Sequence, residues 1–166
     1  MKRLVRITLA IAISAVVGWW LWSHYGISEE ARVRRVIAKM QQLIERGEGL
    51  KLSWGLNDCI AHDYSDPWGM NKSTLVQAIL GYRSQYEEVT IYITDLKIQV
   101  NPVSTPGGAV AEATFAVRVV GRTKSNTSDS VPPAEQYSEQ YHLTLRKSDT
   151  GWQMTSAEST HTEPTL

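Results

Sequence analysis

The chain has 166 residues and a mass of 18.6 kDa, with 17 basic against 17 acidic side chains and 42% hydrophobic residues. This is the size and composition of one globular domain, which excludes a disordered acidic tail and a polytopic membrane protein. The neutral balance leaves no electrostatic footprint for nucleic acid, and a single cysteine, Cys59, excludes an internal disulfide or a cysteine zinc cage.

The amino terminus reads as a membrane anchor over residues 1–25. Lys2, Arg3 and Arg6 form a basic head, and Ile7 to Trp22 is an uncharged run that spans about 24 Å as a helix. Leu4 and Val5 lengthen it toward the ~30 Å hydrocarbon core, with Arg6 snorkelling to the phosphates. Trp19, Trp20 and Trp22 supply an interfacial collar. The alternative is a cleaved signal peptide, which requires small residues where these tryptophans stand. The anchored reading uses residues 4–22 as the membrane contact. It leaves the N-terminus in the cytoplasm and the domain exported, periplasmic to an inner membrane. Residues 29–166 then carry 14 basic (17 − 3) and 17 acidic side chains, a net of −3.

The spacing next predicts a helix that opens at Ser28-Glu29-Glu30 with a capping hydroxyl and two acids on the positive end of the dipole. Val33, Val36, Ile37, Met40, Leu43 and Ile44 form its apolar stripe, and Arg46-Gly47 closes it. Leu50–Leu56 reads as a short second helix, Cys59–Tyr64 as a short strand, and Asp66-Pro67-Trp68-Gly69 as a turn. Asn71 caps a third helix reaching about Tyr86, with Leu75, Ala78, Ile79 and Tyr82 on its buried side.

From Val89 onward the pattern is strand. Val89, Ile91 and Ile93 alternate with polar partners, and the parity then flips to Leu96, Ile98 and Val100, as an extra residue near Thr94-Asp95 would cause. Ala109 to Val119 keeps strict odd parity. Glu135–Lys147 places Tyr137, Glu139, Tyr141, Leu143 and Leu145 on one face. Asp149-Thr150-Gly151 is a hairpin turn, Trp152–Glu158 the last strand, and 159–166 a polar, disordered tail. Helices followed by hairpins predict an α+β domain over 28–158, with helices packed on one face of a curved antiparallel sheet and a cavity at the open end of the cone.

Glu29 to Glu158 resembles the nuclear transport factor 2-like (cystatin-like, polyketide-cyclase-like) superfamily. The residues that carry the resemblance are Ile44-Glu45-Arg46-Gly47 ending the first helix, Tyr64 to Lys72 leading into the third, the bent strand Tyr86–Val100, and Leu143–Lys147 with Gly151–Met154 at the end. The resemblance implies the cone-shaped fold and, through similar folds, a sheet-to-sheet homodimer. It spans isomerases, dehydratases, hydrolases, ligand binders and interaction modules.

Two groups of residues are candidates for chemistry. On a strand, Ile60, His62 and Tyr64 share one face, so His62 is placed as a general base and Tyr64 as a donor to an oxyanion. Glu139 shares the parity of the concave face, where burial raises a carboxyl's pKa. The isomerases of the superfamily use an aspartate base, a tyrosine and a second acid. Asp63 and Tyr64 are the residues that correspond to the first two. Trp54, Trp68, Tyr82 and Tyr141 are the aromatic candidates for a ligand platform, with Trp54, Tyr82, Tyr86 and Trp152 read first as core. Histidine spacing suits no metal, and no phosphate loop or nucleophile elbow is present, so no cofactor is expected. The two functional readings are an anchored module binding a protein partner or a small apolar ligand, and a cofactor-independent isomerase, dehydratase or hydrolase acting on a small apolar substrate.

Overall fold

A computed structural model describes residues 27–101, 108–123 and 135–160. The anchor expected over residues 1–25, residues 102–107 and 124–134, and the last six residues lie outside these. Three helices, α1 (Glu29–Arg46), α2 (Gly49–Cys59) and α3 (Lys72–Gln85), precede four strands, β1 (Tyr86–Asn101), β2 (Val110–Thr123), β3 (Glu135–Ser148) and β4 (Gly151–Thr160). The strands form one curved antiparallel sheet in the order β1-β2-β3-β4, with the helices on its inner face. Among the described residues no helix is long and apolar enough to cross a membrane.

Helix α1 forms as its sequence dictates. Ser28 accepts a hydrogen bond from the Ala31 N–H at 3.2 Å, and Val33, Ile37 and Met40 are buried against the sheet. Glu29 fixes the helix entry to the β3–β4 hairpin, accepting from Lys147 Nζ at 2.9 Å and from the Trp152 indole N–H at 2.8 Å. Burial disfavours the charged Glu29, but these two hydrogen bonds and the Lys147 and Arg32 charges together outweigh it and hold the carboxyl below the usual range.

The parity flip in β1 is a bulge. Pairing to β2 shifts register between Thr94 and Lys97, and Asp95 adopts φ 55°. Val89, Ile91 and Ile93 before it, and Leu96, Ile98 and Val100 after it, belong to the core side. A second shift lies at Thr144/Leu145 between β3 and β4. It carries the inner face of β4 from Trp152 and Met154 to Ala157. A third lies at Tyr86/Glu88, where the Tyr86 ring packs over Gly121 so closely that a Cβ there would lie 2.5 Å from it.

Two expected boundaries move. The strand expected over Cys59–Tyr64 is absent: α2 continues through Cys59, because Leu52, Leu56 and Cys59 are spaced four and three apart and all are buried. Ile60 makes a single parallel bridge to Met154, and Ala61 and Ser65 donate to β4 carbonyls at 2.8 and 3.1 Å with a turn between them. Cys59 is buried, as expected of a small hydrophobe, and burial pushes its thiol up. Helix α3 stops at Gln85, so Tyr86 opens β1. At its start Asn71 and Thr74 form a reciprocal capping box.

Candidate functional site

The helices do not fill the bowl of the sheet. Between them lies a cavity of about 400 Å³. Helix α1 contributes Ile37, Met40, Gln41 and Ile44, and α3 contributes Leu75, Ala78, Ile79 and Tyr82. Leu56 and Ile60 close the end near α2. The sheet provides the floor through Val89, Ile91 and Ile93 of β1, Phe115, Val117 and Val119 of β2, and Tyr141 and Leu143 of β3. Met154 and Ala157 of β4 complete it. Among the described residues the lining contains no carboxylate, imidazole or amine. Its polar atoms belong to Gln41, Tyr82 and Tyr141, and Phe115 and Tyr141 stack across the floor at 6.3 Å.

This void explains a departure from the expected core. Leu75, Ile79 and Tyr82 lie on the inner side of α3 as read from the sequence, yet Val76 is its buried residue and Tyr82 is 39% exposed. The apolar stripe faces empty space, and Tyr82, stacked on Tyr86 at 4.6 Å, stands at the rim. Of the four aromatic candidates, Tyr82 and Tyr141 line the cavity. Trp54 and Trp68 do not: they are 69% and 52% exposed, on the outer side of α2 and in the 66–69 turn. Trp54 is therefore not core, whereas Trp152 and Tyr86 are.

His62, Asp63 and Tyr64 do not converge on this space, because the strand that would have aligned them is a turn. His62 is exposed beside a polar depression that includes Asn57, Asn71 and Lys72. Lys72 Nζ there donates to the carbonyls of Asn57 and Ile60 at 2.8 Å each, capping α2. Asp63 is exposed and paired with Arg146 at 2.7 and 2.9 Å, and those hydrogen bonds hold its carboxyl below the usual range. Tyr64 is buried, with its hydroxyl donating to Asp66 Oδ2 at 3.1 Å. Burial, and then the Asp66 carboxylate, push that hydroxyl well above the ordinary tyrosine value. Asp66 also accepts from the Trp68 and Met70 N–H groups, so it organises the turn.

Glu139 is buried, 7% exposed, on the inner face of β3 opposite Val117 and two residues from Tyr141. Both neighbours line the cavity, whereas Glu139 itself is not among the described lining residues. Among the described residues no group of three or more potential metal ligands assembles.

One lining residue escapes the sequence reading. Gln41 falls in the series Ile37, Met40, Gln41, Ile44, at helical steps of 3, 1 and 3. A polar side chain inside the apolar stripe is the signal that would have found it.

No protein-family model matches the sequence, and no curated protein matches it. Solved structures do. A protein from Kribbella flavida, Kfla4162, superposes with a TM-score of 0.65 at 13% identity, covering 80% of this chain and 89% of that one. A nuclear transport factor 2-like superfamily protein from Salmonella enterica serovar Typhimurium gives 0.62 at 12% identity, covering 83% and 94%. The fold is nuclear transport factor 2-like. A protein from Novosphingobium aromaticivorans assigned as a scytalone dehydratase gives 0.59 at 12% identity, covering 81% and 87%. At such identities the nuclear transport factor 2-like likeness concerns the fold. Members of this fold are often ligand binders or act as dehydratases and isomerases.

Proposed function

We propose that the protein is a single-pass membrane-anchored module whose exported nuclear transport factor 2-like domain binds one small apolar molecule. The observation that carries this reading is the cavity: about 400 Å³ with aliphatic and aromatic walls and, among the described residues, no carboxylate, imidazole or amine on its lining. Ligand sites of this size and lining derive their affinity from removing apolar surface from water. The membrane part of the reading rests on the uncharged run before residue 23 and its tryptophan collar. The full chain should remain in the membrane fraction after alkaline carbonate washing, and a phosphatase fused at its C-terminus should be active only if the domain is exported.

The binding reading is tested by calorimetric titration of naphthalene into the full chain in lipid nanodiscs, with empty nanodiscs as the blank. Ala157→Phe places a ring in the void. It should abolish the protein-specific heat while leaving thermal stability unchanged or raised, because it fills a void rather than crowding a packed core. Equal binding by wild type and Ala157→Phe would count against the cavity as the site.

Glu139 favours a second reading. A buried carboxylate on the inner face of β3, beside the lining residues Val117 and Tyr141, suits a general base acting on a C–H acid if the substrate reaches it, with the Tyr82 and Tyr141 hydroxyls as donors. In this reading the protein is a cofactor-independent isomerase, dehydratase or hydrolase. Base-promoted ring opening of 5-nitrobenzisoxazole, lost in Glu139→Gln, would support it. A rate equal to that of the Gln variant removes it.

A further inference from the structure

Gln41 is the amide side chain on the cavity lining, and its orientation is fixed by its partners. Its Nε2 lies 2.8 Å from the Ile91 carbonyl oxygen, which can only accept, so a donor must face it. The same nitrogen lies 3.4 Å from Glu45 Oε1. That carboxylate oxygen accepts the Ile91 N–H at 2.8 Å. Both amide hydrogens are thus directed at the Ile91 carbonyl on the edge strand β1 and at Glu45. Turning the amide over would set its carbonyl oxygen against two other acceptors. Oε1 is left as an acceptor with no hydrogen bond among the described residues. It is not sealed in either, since Arg83 Nε is the fully buried side-chain polar atom found without a partner there.

Gln41 lines the cavity, so an acceptor oriented by these bonds can select a ligand chemically. We infer that the cavity takes an apolar alcohol or phenol, whose hydroxyl donates to Gln41 Oε1 while its hydrocarbon part packs on the aliphatic walls; this rests on the ligand-binding reading above. A pure hydrocarbon leaves Oε1 unpaired as it fills the space. An ether of similar size sets lone pair against lone pair at Oε1 and is left only the Tyr82 and Tyr141 hydroxyls as donors. Rejection of a molecule that lacks the matching polar group is stronger than discrimination by one methylene.

The test compares 2-naphthol, naphthalene and 2-methoxynaphthalene on the full chain in nanodiscs, using affinity ratios within each protein after subtraction of empty-nanodisc partitioning. Wild type should bind 2-naphthol at least about fivefold more tightly than either other probe. Gln41→Leu, which removes the acceptor, should bring the ratios to within about twofold of unity. Gln41→Lys keeps a donor toward the Ile91 carbonyl and Glu45 but has no acceptor, and it should do the same if the Leu variant fails to fold. Should wild type bind all three probes equally, or should any folded variant keep the 2-naphthol preference, the inference is overturned while the apolar-cavity reading stands. If none of the three binds wild type, both are overturned.

Discussion

Removing the Asp66 carboxylate should unfasten the segment between α2 and α3. One carboxylate, 7% exposed, accepts from the buried Tyr64 hydroxyl at 3.1 Å and from the N–H groups of Trp68 and Met70 at 3.0 and 2.8 Å. A hydrogen bond to a charged acceptor contributes about 1.5–3 kcal/mol when buried and less where water can replace it. The tyrosine bond is the buried one, and the two backbone bonds are half-buried. Asp66→Ala should therefore cost about 3 kcal/mol, which lowers Tm by about 10 °C in a domain of this length. Asp66→Asn keeps one oxygen for the two N–H groups, and the Tyr64 hydroxyl can rotate to accept from the new amide, so about 1 kcal/mol is expected. Tyr64→Phe should also cost about 1 kcal/mol, and the double variant should show a coupling energy near that value. The assay is thermal unfolding of the full chain followed by tryptophan fluorescence. Additive effects of Tyr64→Phe and Asp66→Ala would refute the shared bond. An Asp66→Asn variant as damaged as Asp66→Ala would show that charge, not acceptor geometry, holds the turn.

Three further outcomes rest on contacts elsewhere in the domain. Glu29 has its folded-state pKa depressed, so its contribution is complete above the usual value of 4.5 and is lost as pH falls through the lower folded value. Because the side chain is 35% exposed, Glu29→Gln should cost only about 1 kcal/mol at pH 7 and should flatten the loss of stability below pH 4.5. An unchanged acid limb in urea titrations at several pH values would contradict this. Gly121→Ala should cost about 1–3 kcal/mol, because the Tyr86 ring it would strike is 5% exposed and has little room to move; wild-type stability in urea would contradict the packing. Asn71→Ala should lose about 1 kcal/mol while Asn71→Asp stays near wild type, and hydrogen exchange at Thr74 reads both.

The sheet was legible because alternation is a strong pattern. The flip from Ile93 to Leu96 located a bulge that the pairing places between Thr94 and Lys97. The β4 shift was not legible, since the small and polar residues between Met154 and Ala157 carry no clear parity. Cys59 misled for a related reason: Cys59 to Tyr64 alternates loosely, but Leu52, Leu56 and Cys59 follow the helical period and tertiary burial followed that. The cavity and two of its aromatic walls, Tyr82 and Tyr141, were legible, but its aliphatic walls were not, because Ile37, Ile91 and Val117 are the residue types that would equally fill a solid core. His62, Asp63 and Tyr64 drew attention by chemical type. Their positions depend on a turn whose Asp66 bonds cannot be inferred from alternation.

The most direct test of the account is to locate an apolar ligand on the protein. With isoleucine, leucine and valine methyls labelled in the full chain in nanodiscs, 2-naphthol should give intermolecular NMR contacts to Ile37, Ile91 and Val117. Contacts confined to exposed groups such as Leu50, or none at all, would contradict it.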